Sequence, residues 1–571
     1  MSCSVCSLVR RPFFVAASTL ILSSASSLPG QVPTTLEPIR ADQNLKPAPQ
    51  PKSVPRPEVT LNNRQIAPKD AAQLTFTFRE LSFQGNAALT SAELASLWPH
   101  KAGDQVTIEA VFALANAVTK RYADAGYALC FGVVPEQDIK DGKVRLVVVE
   151  GFVSEHAYGV ALPRGRALNA TDAQLLRLRA SRPLRAEVLE RTILLMDDLP
   201  GWDVGSVLSA SPTVVGGSDL SLEFTRVPDA FDLSWNNFLP RALDRQVVGA
   251  SWVGYGHLDG ADELSLGFYR SPAGDAYRSF NVAASTLVGG DGERLGVTFS
   301  QSDSRPTDPL LVPLEFKGRS RNARLTLSKP LIRSRSATLL AEAYLGALDA
   351  DSSMIGGTPT RDSLRIAGAS LTYDFARPDQ SSNLLRINLE QGLDGLGARG
   401  NSRANGSPVF TVGSLDFTRS APLAALGAAA LSYSFALQGQ YSLGDPLLSP
   451  VEAAFGGRQF GRFFDAGSMN GEQALFGSFE LRYARPLALG LAEPVRFQGY
   501  LFVDAGMIRQ QGELQPQEAR ERHAASAGLG VRLGLPHGMN ALVEITRLVS
   551  RPAGVVLDDS PRVNASFGVR F

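Results

Sequence analysis

A chain of 571 residues is longer than one ordinary domain, so two or more folded units are expected. Its 56 basic and 56 acidic residues cancel, which removes the basic footprint that nucleic-acid binding leaves. A hydrophobic content of 44% suits a soluble protein and a β-barrel equally, because barrel strands turn only every second residue to lipid, so pattern has to decide.

At the N-terminus, Arg10 and Arg11 precede an apolar run over residues 12–22 and small residues over 23–27. This order reads as a secretory signal peptide, residues 1–27. The run is too short to cross a bilayer as a helix, which takes about 20 apolar residues. Cys3 and Cys6 lie before it and leave with it, so Cys130 is the only mature cysteine and no intrachain disulfide is expected. The longest later uncharged stretch, residues 420–444, is broken by Pro422, Gly427 and Gly439. Any membrane residence therefore rests on strands.

Residues 28–72 are rich in proline, with Pro47, Pro49, Pro51, Pro55 and Pro57 close together, and read as an extended linker. Within them only about residues 37–45 have the makings of a short helix. Residues 73–152 form a first compact α/β unit. Phe76, Phe78, Leu81 and Phe83 predict a strand, and Thr90 with Glu93 a capping box. Ile108, Val111, Phe112, Ala115 and Val118 recur at helical spacing, and strands follow over 128–134 and 144–150 around an Asp141-Gly142 turn. Residues 153–228 repeat this plan more loosely, with helical stretches over 172–177 and 186–198 and strands over 204–209 and 220–224.

From Ala230 onward alternation replaces helical spacing. Leu431, Tyr433, Phe435, Leu437 and Tyr441 fall on one face, with Ser432, Ser434, Gln438 and Gln440 on the other. Leu529, Val531 and Leu533 alternate with Gly and Arg, and Val563, Ala565, Phe567, Val569 and Phe571 with polar or small residues. Residues 229–571 give room for roughly sixteen strands at about 20 residues per strand and connection. The expected fold is thus α+β units followed by a transmembrane antiparallel β-barrel.

Specific residues carry a family resemblance. Gly126-Tyr127, Pro135-Glu-Gln137, Asp141-Gly142 and Glu150-Gly151 follow in the order of the first POTRA domain of two-partner secretion transporters, the TpsB or ShlB/FhaC/HecB group. Residues 189–201, ending Leu199-Pro-Gly201, resemble a helix end in the second POTRA domain, and Pro330-Leu-Ile-Arg-Ser-Arg335 resembles a recurring barrel-strand start. Residues 455–478 are similar to the long lumen loop of the wider BamA-like superfamily, in which an Arg of a Val-Arg-Gly-aromatic tetrapeptide reaches into the lumen. Aligned on Gly471, the tetrapeptide here is Gly461-Arg462-Phe463-Phe464, with phenylalanine where the family keeps glycine. Glycine adopts backbone angles that phenylalanine avoids, so the loop conformation at Phe463 is a point for the structure. Phe502-Val-Asp504-Ala-Gly506 looks like the strand motif whose Asp pairs with the loop Arg.

The resemblance implies that Arg462, Phe464 and Asp504 anchor the loop. It implies that the POTRA domains bind an extended client by β-augmentation, with Tyr127, Val133, Pro135 and Gln137 as candidate contacts. The function implied is export across the outer membrane of a secreted polypeptide, a TpsA-like adhesin or haemolysin; the alternative is an assembly factor of the BamA or TamA type. Families of this kind often begin with a helix that plugs the barrel, so residues 28–72 are a linker or a plug segment. Outer-membrane lipid and the barrel assembly machinery are the other implied partners, and the barrel is expected to be a monomer. His100, His156, His257, His523 and His537 form no metal-ligand pair, and there is no nucleophile elbow or phosphate-binding loop. The expectation is no catalytic residue, no cofactor, no metal and no nucleic acid.

Overall fold

The computed structural model describes residues 34–45, 50–54, 65–490, 493–514, 518–553 and 558–571. The signal peptide read over residues 1–27, with Cys3 and Cys6, lies outside the described residues. The first helix, α1 (Pro38–Leu45), stands inside the barrel described below and not beside it.

The first α/β unit comprises β1 (Thr75–Thr77), β2 (Glu80–Gln84), α2 (Ser91–Ala95), β3 (Gln105–Thr107), α3 (Ile108–Asp124), β4 (Cys130–Val133) and β5 (Lys143–Glu150). The single strand expected through Phe76, Phe78, Leu81 and Phe83 is two: β1 pairs with β3, whereas β2 runs parallel to β5. The chain changes partners between them, because Phe78 hydrogen-bonds Gly103 and Asp104 while Arg79 donates to the Gly142 carbonyl. Thr90 and Glu93 form the capping box at α2, and the Thr107 hydroxyl caps α3. On α3 the positions 111, 114, 115, 118 and 122 face inward at helical spacing, and Leu114, Ala115, Val118 and Tyr122 pack on Cys130, Leu146 and Val148. Burial pushes the Cys130 thiol up to about 12. Cys130 should therefore resist a maleimide at pH 7.5 in the native protein and react fully in denaturant; fast native labelling would show that β4 opens.

The second unit comprises β6 (Phe152–Tyr158), α4 (Gly165–Ala180), α5 (Ala186–Asp197), β7 (Trp202–Ala210) and β8 (Gly217–Arg226). Its sheet has the order β6-β8-β7, with β6 parallel and β7 antiparallel to the central strand, matching the β2-β5-β4 order of the first unit. Helix α4 begins seven residues before the expected 172. Its first turn is held by a contact outside the unit: Arg166 N donates to the Asp259 carbonyl of a barrel turn. Such a support is invisible to local sequence pattern.

The barrel strands are β9 (Ala230–Asn236), β10 (Val247–Tyr255), β11 (Asp262–Arg270), β12 (Tyr277–Leu287), β13 (Arg294–Ser304), β14 (Lys317–Arg333), β15 (Ala337–Ser353), β16 (Thr360–Ala376), β17 (Ser382–Gly392), β18 (Thr411–Leu426) and β19 (Ala429–Leu443). Two short loop strands follow, β20 (Ala453–Phe455) and β21 (Met469–Gly471). The barrel then resumes with β22 (Gln473–Leu487), β23 (Val495–Arg509), β24 (Glu521–Gly534), β25 (Asn540–Ser550) and β26 (Arg562–Arg570). Sixteen strands close in an antiparallel ring, β26 pairing with β9. Closure leaves no unpaired strand edge, the condition for a sheet to stand in lipid. The outer wall exposes Phe268, Val297, Leu327, Leu345, Leu371, Leu389, Phe479, Leu501, Leu529, Ile545 and Phe567, too much apolar surface for water.

The segment 330–335 corrects one expectation. It is the end of β14 and the following turn, not a strand start: the strand begins at Lys317 and passes Pro330 through a bulge between Pro330 and Ile332. A bulge is where a strand tolerates proline, which lacks the donor the ladder needs.

The second unit packs on one rim of this barrel. Ala261 and Leu287, at two barrel turns, belong to the same buried cluster as Leu175, Leu178, Leu220 and Phe224. Ion pairs ring the contact: Arg166–Asp259 at 3.0 Å, Arg177–Asp291 at 2.7 Å, Arg191–Asp291 at 3.0 Å and Arg333–Asp198 at 2.6 Å.

Candidate functional site

The connection between β19 and β22 spans residues 444–472 and folds into the lumen; residues 473–478, expected to be loop, are the start of β22. A long loop inside a polar barrel needs fixed points. The first is Arg462. Gly461 takes φ +74°, and a Cβ there would meet the Phe455 ring at 2.5 Å. Phe464 N closes the turn on the Gly461 carbonyl at 2.8 Å. The left-handed angle thus falls on Gly461, and Phe463 is not among the residues with positive φ. The family departure at Phe463 carries no backbone strain; its ring packs edge-on against Phe464 at 5.4 Å.

From that turn the Arg462 guanidinium reaches the wall. Nε donates to Asp504 Oδ2 at 3.1 Å and Nη2 to Oδ1 at 3.0 Å, a two-point fork. The Arg462 main-chain N–H adds a third bond to Asp504 at 3.0 Å. Nη1 donates to Glu480 Oε1 at 2.7 Å, Nη2 also to Ser478 Oγ at 2.9 Å, and Glu544 stands 3.8 Å away. The Phe502 ring lies under the guanidinium at 3.7 Å. Asp504 is 0% and Arg462 5% exposed, so the pair is shielded from bulk water. Arg532 spans both Glu480 oxygens, Oε1 at 2.9 Å and Oε2 at 3.1 Å, and Arg482 donates to Oε2 at 2.7 Å. Three cations therefore face the three carboxylates of Asp504, Glu480 and Glu544.

Strand periodicity explains the Phe502-x-Asp504-x-Gly506 spacing. All three positions point into the lumen, and each has a different task. Phe502 supplies a ring face and Asp504 the carboxylate. Gly506 leaves room for Phe455, whose ring a Cβ would meet at 2.3 Å. Phe464 is buried against Phe455 at 5.6 Å, and Phe455 against Phe476 at 5.4 Å. Gly471 closes the β20–β21 hairpin opposite Ala453, away from the guanidinium, where a Cβ would press on Ile508 at 2.9 Å.

Glu480, Glu544, Ser478, Asn564 and Arg532 were not singled out from sequence as members of this cluster. Their signal was present: a charged or polar residue at an inward position of an otherwise apolar-out strand. Asn564 donates to the Arg462 carbonyl at 3.0 Å and to Glu544 at 2.9 Å, so β26 also holds the loop.

The same loop grips α1. Arg40, 1% exposed, donates to the Glu452 carbonyl at 3.0 Å and to the Ser449 carbonyl. Ser449 Oγ donates to Glu37, and Thr34 Oγ1 to the Gly467 carbonyl at 3.0 Å. On the wall side Asp42 accepts from Ser302 at 2.6 Å and from Tyr277, and Leu36 is buried among Leu243, Val247, Tyr277 and Phe316.

The four candidate client contacts do not converge on one free surface. Tyr127 bridges to Arg185 of the second unit, whose guanidinium sits 5.7 Å from its ring. Gln137 exchanges two 2.8 Å hydrogen bonds with the Arg145 main chain, filling the place where β4 has ended. Pro135 accepts weakly from Gln137, and Val133 ends the edge strand β4.

The family model described as "Haemolysin secretion/activation protein ShlB/FhaC/HecB" matches residues 216–533, and that of the ShlB-type POTRA domain matches residues 76–151. The chain belongs to the ShlB/FhaC/HecB family. Among curated relatives it is similar to the heme/hemopexin transporter protein HuxB of Haemophilus influenzae, 25% identical over 260 residues, covering 44% of each chain. The chain thus spans under half the length of that relative. CdiB from Escherichia coli shares the fold at a TM-score of 0.70, with 18% identity over 91% of this chain and 94% of that one. CdiB from Acinetobacter baumannii does so at 0.61, with 17% identity over 93% and 95%. BamA from Haemophilus ducreyi, lacking POTRA domains 1–3, reaches 0.50 at 14% identity over 87% and 100%, a weaker likeness of fold. As a member of the ShlB/FhaC/HecB family, the chain is an outer-membrane barrel with its N-terminal POTRA region in the periplasm.

Proposed function

We propose that this chain exports a TpsA-like polypeptide, an adhesin or haemolysin, through its barrel to the cell surface. One observation carries the reading: a closed sixteen-strand barrel is filled by two pieces, α1 and the 444–472 loop, that are held in place by side-chain contacts, the loop's own hairpin being a sheet separate from the wall. Such fillings are removable, and their removal leaves a conduit. The N-terminal units lie at the rim from which β9 enters, where a client arriving from the periplasm meets them. The second unit, with the strand order of the first, acts as a second POTRA domain.

Recognition by β-augmentation needs an edge strand with outward N–H and C=O groups. Strand β7 is a nine-residue edge, and its Val207 is exposed. Ser211 N donates to Gly217 O and Val227 N to Gly201 O, so the odd-numbered residues of β7 bond β8 and the even ones face outward. Ser206→Pro removes one outward donor and leaves the β7–β8 ladder intact. Export of a co-expressed client should fall at least about tenfold, with barrel conductance unchanged. Undiminished export would remove β7 as the client edge.

A further inference from the structure

Residues 50–54 lie against the periplasmic turns of the barrel, and the way they are held is informative. Lys52 N donates to Asp374 Oδ2 at 2.7 Å and Ser53 N to Asp374 Oδ1 at 3.1 Å. Val54 N donates to the Arg335 carbonyl at 3.1 Å, and Ser382 Oγ donates to the Ser53 carbonyl at 3.0 Å. One further bond uses a side chain, Ser53 Oγ to the Asp374 carbonyl at 3.1 Å. Four of these five contacts thus read main chain alone, and Lys52 and Val54 are exposed. Beside the segment a cavity of about 650 Å³ continues between α5 and the barrel wall, lined by Leu195, Asp198, Arg333, Leu340 and Leu384.

We propose that Asp374, Ser382 and the Arg335 carbonyl form a peptide-binding groove that takes an unfolded segment of the exported polypeptide, and that residues 50–54 occupy it at rest. The occupant follows from three features. The groove is already filled by a peptide segment of this chain. Four of its five contacts read main chain, which suits a polypeptide passing residue after residue. It also lies between α5 of the second unit and the lumen, on the route between them. Both Oδ atoms of Asp374 face successive N–H groups, an arrangement that an incoming chain reproduces only by displacing residues 50–54. Client and strap are therefore mutually exclusive. This inference rests on the proposed export function for the identity of the occupant, though not for the existence of the groove.

The test uses the full chain, purified from outer membranes, with p-benzoylphenylalanine in place of Leu340; Thr338 carries the probe should the Leu340 replacement not assemble. The probe ligand is biotinylated Gln-Pro-Lys-Ser-Val at about 10 mM, above the roughly millimolar effective concentration of a tethered segment. A peptide with the two exposed residues exchanged, Gln-Pro-Val-Ser-Lys, should photo-label the protein equally within about twofold, because the contacts at those two positions read main chain. A peptide N-methylated at its last three residues should label at least about tenfold less, and so should the native peptide on Asp374→Ala. Labelling that follows the sequence, survives N-methylation or is absent at about 10 mM overturns the groove. Conductance of the same preparation in a planar bilayer is read separately. A barrel that conducts nothing once residues 31–70 are deleted would remove the export reading while leaving the peptide result to stand on its own.

Discussion

Asp504→Ala should abolish export while the barrel still reaches the outer membrane. Asp504 accepts three hydrogen bonds from Arg462 in a place shielded from water, and its loss leaves the cation with Glu480, Ser478 and the more distant Glu544. Breaking a buried pair by removing one partner costs about 3–5 kcal/mol; the surviving Glu480 contact favours the lower end. That cost falls on the loop, since the sixteen strand ladders do not depend on it. Assembly, read as heat-modifiable migration, should therefore stay close to wild type, and client in the medium should drop at least about tenfold. The exchanged pair, Arg462→Asp with Asp504→Arg, should not restore export. The new carboxylate would sit where Glu480 and Glu544 already crowd the site, with Arg482 and Arg532 committed to Glu480. Wild-type export by Asp504→Ala would sink the anchoring role; rescue by the exchange would keep the pair as anchor and show that Glu480 and Glu544 do not fix its direction.

How far the sequence foretold this arrangement depends on the range of the interactions involved. Barrel alternation was legible because inside and outside differ at every second residue, as in the run from Leu431 to Tyr441. The capping box at Thr90 and the inward face of α3 were legible for the same local reason. Arg462 and Asp504 became legible through motif resemblance; nothing about an isolated Arg and an Asp 42 positions later says that they meet. What stayed hidden depends on contacts between distant segments. The early start of α4 rests on a barrel turn. The passage of β14 through Pro330 rests on a bulge whose register only the neighbouring strand defines. Gln137 pairs with Arg145 because β4 is short, and Tyr127 turns to Arg185 because a second unit follows. Glu544 gave the clearest unread signal, a buried carboxylate on a lumen-facing position of β25.

Arg40→Ala should open the pore. An eight-residue helix is marginal on its own, so α1 stays where tertiary contacts hold it. Arg40 supplies two buried hydrogen bonds among these, and its removal leaves the Glu452 and Ser449 carbonyls without their donor. Hydrogen bonds from a charged donor contribute about 1.5–3 kcal/mol, and each step of about 1.4 kcal/mol is a factor of ten in an equilibrium. Single-channel recording should therefore show open probability rising about tenfold to a hundredfold, with deletion of residues 31–70 setting the upper limit. Asp42→Ala, which frees the opposite side from Ser302 and Tyr277, should act in the same direction. The loop that binds Arg40 is the loop that Arg462 anchors, so the two locks stand in series and their effects should not add. Arg40→Ala combined with Asp504→Ala should conduct like the more open of the two single variants. Full additivity would mean that helix and loop leave the lumen independently, and an unchanged trace for Arg40→Ala beside an open deletion variant would place the helix's hold at Asp42 and Leu36 instead.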